Sequence, residues 1–148
     1  MTAAASSGAA RIVVGHDGSA SSLAALSWAA RQAALTGSTL EIVMTWELPS
    51  SYGWAVPVPD DFDPESDIDK ELDRVVAQVL AAHPGLQVNP RVANGHPAPV
   101  LVEASKGAEL LVVGSRGHGE FVGMLIGSVS EYCVANAHSP VLVHRAPS

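Results

Sequence analysis

Five short apolar runs punctuate the chain, and the segments between them carry apolar residues at helical spacing. The first run, RIVVGHD (residues 11–17), is continuous and ends in Gly-His-Asp. Residues 19–37, SASSLAALSWAARQAALTG, place Leu23, Leu26, Ala30 and Ala33 on one helical face, with Ser19 as N-cap and Gly37 as the stop. TLEIVMTW (39–46) is the second strand. The Pro-, Gly- and acid-rich connection after it, 47–63, is too long for an ordinary turn and points to a functional or mobile segment. A helix fits 64–82, with Pro64 in its first turn and Ile68, Leu72, Val75 or Val76, and Val79 as its apolar face. LQVNPRVAN (86–94) alternates apolar with polar residues and contains Pro90, which marks an edge strand. A short helix over 97–107 opens on prolines and closes at Gly107, and ELLVVGS (109–115), the most apolar run, reads as a central strand. A helix from about Val129 leads to the last strand, PVLVHR (140–145).

The alternation is β-α-β-α-β-α-β-α-β. It predicts an α/β fold: a single-domain open parallel five-stranded sheet with right-handed crossovers and helices on both faces. In such Rossmann-like sheets ligands sit beyond the C-terminal strand ends, where the strand order reverses. Two strand ends are polar and glycine-rich, Gly15-His16-Asp17-Gly18-Ser19 and the loop after Val113. Setting the first and fourth strands side by side brings both to one crevice, in the order 3-2-1-4-5.

The chain's 148 residues suit one domain. Residues 1–10, rich in Ala and Ser, read as a flexible tail and 11–148 as the domain. No apolar run approaches the roughly 20 residues of a membrane span. The N-terminus lacks the charged and apolar regions of a signal peptide, so the expected location is cytoplasmic, without membrane attachment. The lone cysteine, Cys133, can form no intramolecular disulfide and reads as a core residue. A net charge of −7, with eight scattered Lys and Arg residues, argues against nucleic acid as a partner. Eight of the fifteen acids lie in 60–73, DDFDPESDIDKELD. The run lacks the glycine of a calcium loop and reads as a solvated linker entering an acidic first helical turn.

Candidate chemistry concentrates in residues 112–129, VVGSRGHGEFVGMLIGSV. Gly114, Gly117, Gly119, Gly123 and Gly127 allow positive φ and close approach to a ligand, and consecutive backbone N–H groups can form an anion cradle. The segment runs into the N-terminus of a helix, where free N–H groups and the dipole favour phosphate. Arg116 is the one possible cationic helper. The same residues also carry a bland reading. Ser128-Val129-Ser130-Glu131 is a capping box that only starts a helix, and Phe121, Val122, Met124, Leu125 and Ile126 pack as a lid or partner contact. There is no GK[ST], no G-x-G-x-x-G at the first strand, no G-x-S-x-G and no metal-ligand spacing among the six histidines.

These residues resemble the universal stress proteins. The family signature is G-x2-G-x9-G followed by Ser or Thr, matched by Gly114, Gly117, Gly127 and Ser128. His16-Asp17-Gly18-Ser19 resembles the family's V-D-G-S, with His16 where an apolar residue is usual. The resemblance covers residues 11–145 and implies an adenine nucleotide alpha hydrolase-like sheet of order 3-2-1-4-5 that binds adenine nucleotide, usually ATP. It implies Asp17 holding the ribose hydroxyls or sitting beside the nucleotide, backbone near Thr45 at the adenine edge, and Gly114 along the ribose, with Gly15 a further nucleotide-binding residue. Gly117, Gly127, Ser128, Val129 and Ser130 would hold phosphates; Arg116 sits at a variable position of the signature, so its phosphate role is not part of the resemblance, and plain surface exposure is the alternative. It further implies a regulatory or signalling homodimer paired through the last strand (Val141, Leu142, Val143), whose apolar outer edge itself asks for a partner. Three alternatives stay open: a cyclic-AMP-binding relative, a slow ATPase or autophosphorylating enzyme using Asp17 and phosphate-bound Mg2+, and a nucleotide-free dimeric interaction module.

Overall fold

The computed structural model describes residues 10–47, 63–116 and 126–145. Nine elements follow in the order β1 (Arg11–Gly15), α1 (Ala20–Thr36), β2 (Thr39–Trp46), α2 (Pro64–Ala82), β3 (Val88–Asn94), α3 (Pro97–Ala104), β4 (Leu110–Gly114), α4 (Ser128–Asn136) and β5 (Val141–His144). All strand pairs are parallel and the sheet order is β3-β2-β1-β4-β5, the order expected. β4 is interior as its apolar run requires, although β1 holds the middle position. The proline-bearing β3 lies on an edge, with Pro90 opposite Ile42.

Period-two alternation assigns each strand residue to one of two cores. Ile12 and Val14 of β1, with Leu40, Ile42 and Met44 of β2, pack under α1 and α2. Val13, Val43, Leu111 and Val113 face the other way, against Leu101 and Ala104 of α3 and Cys133 of α4. α1 is capped as its sequence predicts: the Ser19 side chain accepts from the Ser22 N–H, and Gly37 adopts the left-handed conformation, φ 71°. α2 buries Leu72, Val75 and Val79, with Ile68 and Val76 partly covered. Its N-cap is Asp63, followed by Glu65 and Asp67 in the first turn, so the end of the acidic run opposes the helix dipole.

Three local expectations are corrected. Leu23 is 39% exposed and lies outside the inward stripe of α1, which runs Ser22, Ala25, Leu26, Ala29, Ala30 and Ala33 and so includes the other three expected residues. α3 ends at Ala104 rather than at Gly107, which instead takes φ 74° in the turn beyond. The capping box does not form. Ser128 lies inside α4, Gly127 is the N-cap, and no side chain among the described residues caps the helix. Residues 1–9 of the expected tail, most of the 47–63 connection, and the loop residues Gly117, Gly119, Phe121, Val122, Gly123, Met124 and Leu125 lie outside the described residues.

Candidate functional site

Parallel strands deliver their C-terminal ends to one rim, and a cavity of about 430 Å3 lies there. Gly15, Asp17, Thr45, Gly114, Arg116, Gly127, Ser128, Val129 and Ser130 all line it. The tenth residue singled out in the sequence, Gly117, lies outside the described residues. The volume falls in the range of small-molecule sites, roughly 300–1,000 Å3.

One side of the cavity is built by β1 and the start of α1. Asp17 is exposed and its Oδ1 accepts the Ser19 N–H at 2.9 Å, a local bond that turns the chain into α1. Gly18 makes that turn with φ 86°. The opposite side is built by β4 and α4. Gly114 is not a positive-φ glycine, contrary to the reading of the loop glycines as conformational hinges. Space explains it instead: a Cβ there would stand 2.5 Å from Ser21 Oγ and 2.9 Å from the Ser21 carbonyl. The first turn of α1 thus lies directly against the end of β4. Gly127 is extended, φ −74° and ψ 162°, so it too is not held by left-handed geometry.

The start of α4 hangs from the end of β4. The Gly127 N–H donates to the Ser115 carbonyl at 2.6 Å, and the Ser130 hydroxyl donates to the Gly114 carbonyl. Ser130 therefore spends its hydroxyl on the fold, although the residue still lines the cavity. A helix has no internal acceptors for its first N–H groups, and no side chain among the described residues caps this one. The N-terminal end of α4, with its partial positive charge, is thereby turned toward the cavity. Arg116 is exposed at the rim, its N–H donating to Ser21 Oγ at 3.3 Å. Asp17 is the one carboxylate among the described lining residues, and these residues gather no cluster of three metal-ligating side chains.

The other end is apolar. Val43 and Met44 join Thr45 at the end of β2, Ile68 comes from α2, and Leu101 from α3. Of these, the site reading anticipated Thr45 only; Ile68 was legible as a helix-face residue but not as a cavity wall. His16 and Ser22 were also missed as site components. His16 is buried, with Nδ1 3.0 Å from Ser22 Oγ. Burial lowers its pKa below the ordinary 6.5, against the opposing pull of the Glu71 carboxylate. Cys133 lies in the core of α4, where burial pushes its thiol up to about 11, as suits an unreactive packing residue.

The family model described as "Universal stress protein family" matches residues 9–145. A universal stress protein of Mycolicibacterium smegmatis (strain ATCC 700084 / mc(2)155) is 35% identical over 138 residues, covering 90% of this chain and 45% of the relative. The chain thus spans about half the length of the curated relatives it matches. Among solved structures, UspA from Lactobacillus plantarum aligns with a TM-score of 0.78 at 22% identity, covering 92% of this chain and 97% of that one. A universal stress protein in complex with cAMP aligns with a TM-score of 0.67 at 30% identity, covering 91% and 95%. With its sheet order, its glycine spacing and the family match over nearly its whole length, the chain belongs to the universal stress protein family.

Proposed function

We propose that the cavity binds an adenine nucleotide, ATP as the working ligand, and that occupancy regulates a homodimer paired through β5. One observation carries the reading: a single cavity joins an apolar end (Val43, Met44, Ile68) to an uncapped helix N-terminus at Gly127 and Ser128. A flat heterocycle suits the first and a phosphate the second. Asp17 would accept from the ribose hydroxyls, and the backbone at Thr45 would meet the base edge, both residues lining the cavity. Gly114, close against Ser21, would lie along the ribose, and Arg116 would reach toward phosphate from its exposed position. Mg2+, when it accompanies ATP, would be held by the phosphates with Asp17 as the protein carboxylate. The cyclic AMP bound by the 30% identical relative supports an adenine ligand and names the competing nucleotide.

Thermal unfolding of the protein with ATP, ADP, AMP and cyclic AMP tests this. A ligand at about 100 times its dissociation constant adds about 2.7 kcal/mol to stability. The largest shift is expected with ATP. A largest shift with cyclic AMP reassigns the ligand within the same site, and no shift with any of the four defeats the reading.

A further inference from the structure

Gly15 ends β1 on the cavity wall, and it is not one of the left-handed glycines. Its missing side chain makes room instead. A Cβ there would stand 2.8 Å from Leu101 Cδ1 and 3.2 Å from Leu101 Cδ2, nearer than carbons pack without overlap. Leu101 comes from α3, is 4% exposed, and lines the same cavity. Pro97, one turn earlier on α3, lines it too, as residues four apart share a helix face.

α3 is fixed to the rim from its first residues. The Gly95 N–H donates to the Trp46 carbonyl at 2.8 Å, which ties the entry of α3 to the end of β2. His96 then caps the helix, its Nδ1 accepting the Ala98 N–H at 3.2 Å. Leu101 is thus held against the strand that carries Val43, Met44 and Thr45 to the cavity. It also belongs to the buried cluster of Val13, Val43 and Val113, so its side chain joins packed core to open cavity. A close-packed core has no slack to take the side chain in. A displaced Leu101 moves toward the cavity.

We propose that Leu101 is a specificity-determining residue: seated in the notch left by Gly15, it closes the apolar end and sets the size of base that fits. This rests on the nucleotide reading of the same cavity. It narrows the ligand from any adenine to an adenine without bulk on the edge that meets α3. A leucine side chain carries no donor or acceptor, so the selection is by shape. With Gly15 on one side and core on the other, the wall cannot retreat, and an added group on the base meets it as overlap.

The test is calorimetry with AMP and with analogues that carry an isopropyl group at C2, N6 or C8 of the base. Leu101→Ala removes an isopropyl group from the wall, so the space gained matches the group added. Wild type should bind at least one analogue about tenfold more weakly than AMP, or worse. Leu101→Ala should bind that analogue about tenfold more tightly than wild type does, while its AMP binding weakens. Leu101→Val excises less of the core; it should shift both ligands in the same directions and serves where the alanine variant does not fold. Gly15→Ala should weaken AMP about tenfold by pushing Leu101 into the cavity. Adding Leu101→Val should restore most of that loss, because valine lacks the Cδ atoms that meet the new Cβ. A wild type that takes all the analogues as tightly as AMP overturns the inference and leaves the nucleotide reading intact. So do Leu101 variants that lose AMP and every analogue alike. A wild type that binds none of AMP, ATP and cyclic AMP overturns both.

Discussion

Ser128 illustrates how one residue's position decides its chemistry. As an N-cap its hydroxyl would be spent on its own helix; as the first residue of α4 it leaves the N–H end of that helix uncapped at the cavity. Ser128→Asp separates helix stability from ligand binding. A carboxylate in the first turn favours the helix by about 0.3–1 kcal/mol, yet the same charge repels phosphate. Calorimetry should show AMP binding weakened at least tenfold and adenosine binding little changed, with a melting temperature equal to wild type or higher. AMP binding that survives the substitution would remove phosphate from this end of the cavity. The sequence exposed Gly114 and Gly127 by spacing, but not the reason for either. Gly114 is small because Ser21, 93 positions earlier in the chain, presses on it, and no local pattern encodes that contact. His16 and Glu71 are hidden for the same reason: they lie far apart in sequence and meet only when α2 settles on the sheet.

Among the elements, periodicity carried most of the fold. β2 and α2 have the limits their hydrophobic patterns predict, and both caps of α1 were readable as Ser and Gly. The other strands are a residue or two shorter than their apolar runs, since pairing with a neighbour, not composition, decides where a strand ends. β5 ends the sheet, and among the described strands its outer edge has no neighbour. The Leu111 N–H donates to the Pro140 carbonyl and the Ser115 N–H to the His144 carbonyl. In a parallel ladder this phase leaves the backbone groups of Val141 and Val143 pointing away from β4. Val143→Pro removes an outward N–H while sparing the inner ladder. Sedimentation should find it monomeric where wild type is dimeric, with circular dichroism unchanged. A dimer that persists would move the proposed interface off this strand.

The whole molecule reports its buried ring through its response to acid. His16 has a pKa below its ordinary 6.5, chiefly from burial, so the unfolded chain takes up its proton first as pH falls. Its contribution to stability is full above about pH 6.5 and is lost below it. Glu71 is also lowered, from an ordinary 4.5, chiefly by its hydrogen bond from Arg74, so its contribution is present above 4.5 and lost as pH falls further. Melting temperature should therefore decline in two stages, the first setting in as pH falls below about 6.5, the second below pH 4.5. His16→Gln should lack the first stage and keep the second. A single decline confined below pH 4.5 in wild type would show that the ring does not titrate against folding.

Ser115 gives the molecule a short mechanical path. Its carbonyl takes the Gly127 N–H at the head of α4, and its own N–H reaches the His144 carbonyl on β5. One residue at the end of β4 therefore carries both the head of the helix that meets the cavity and the last rung of the edge strand.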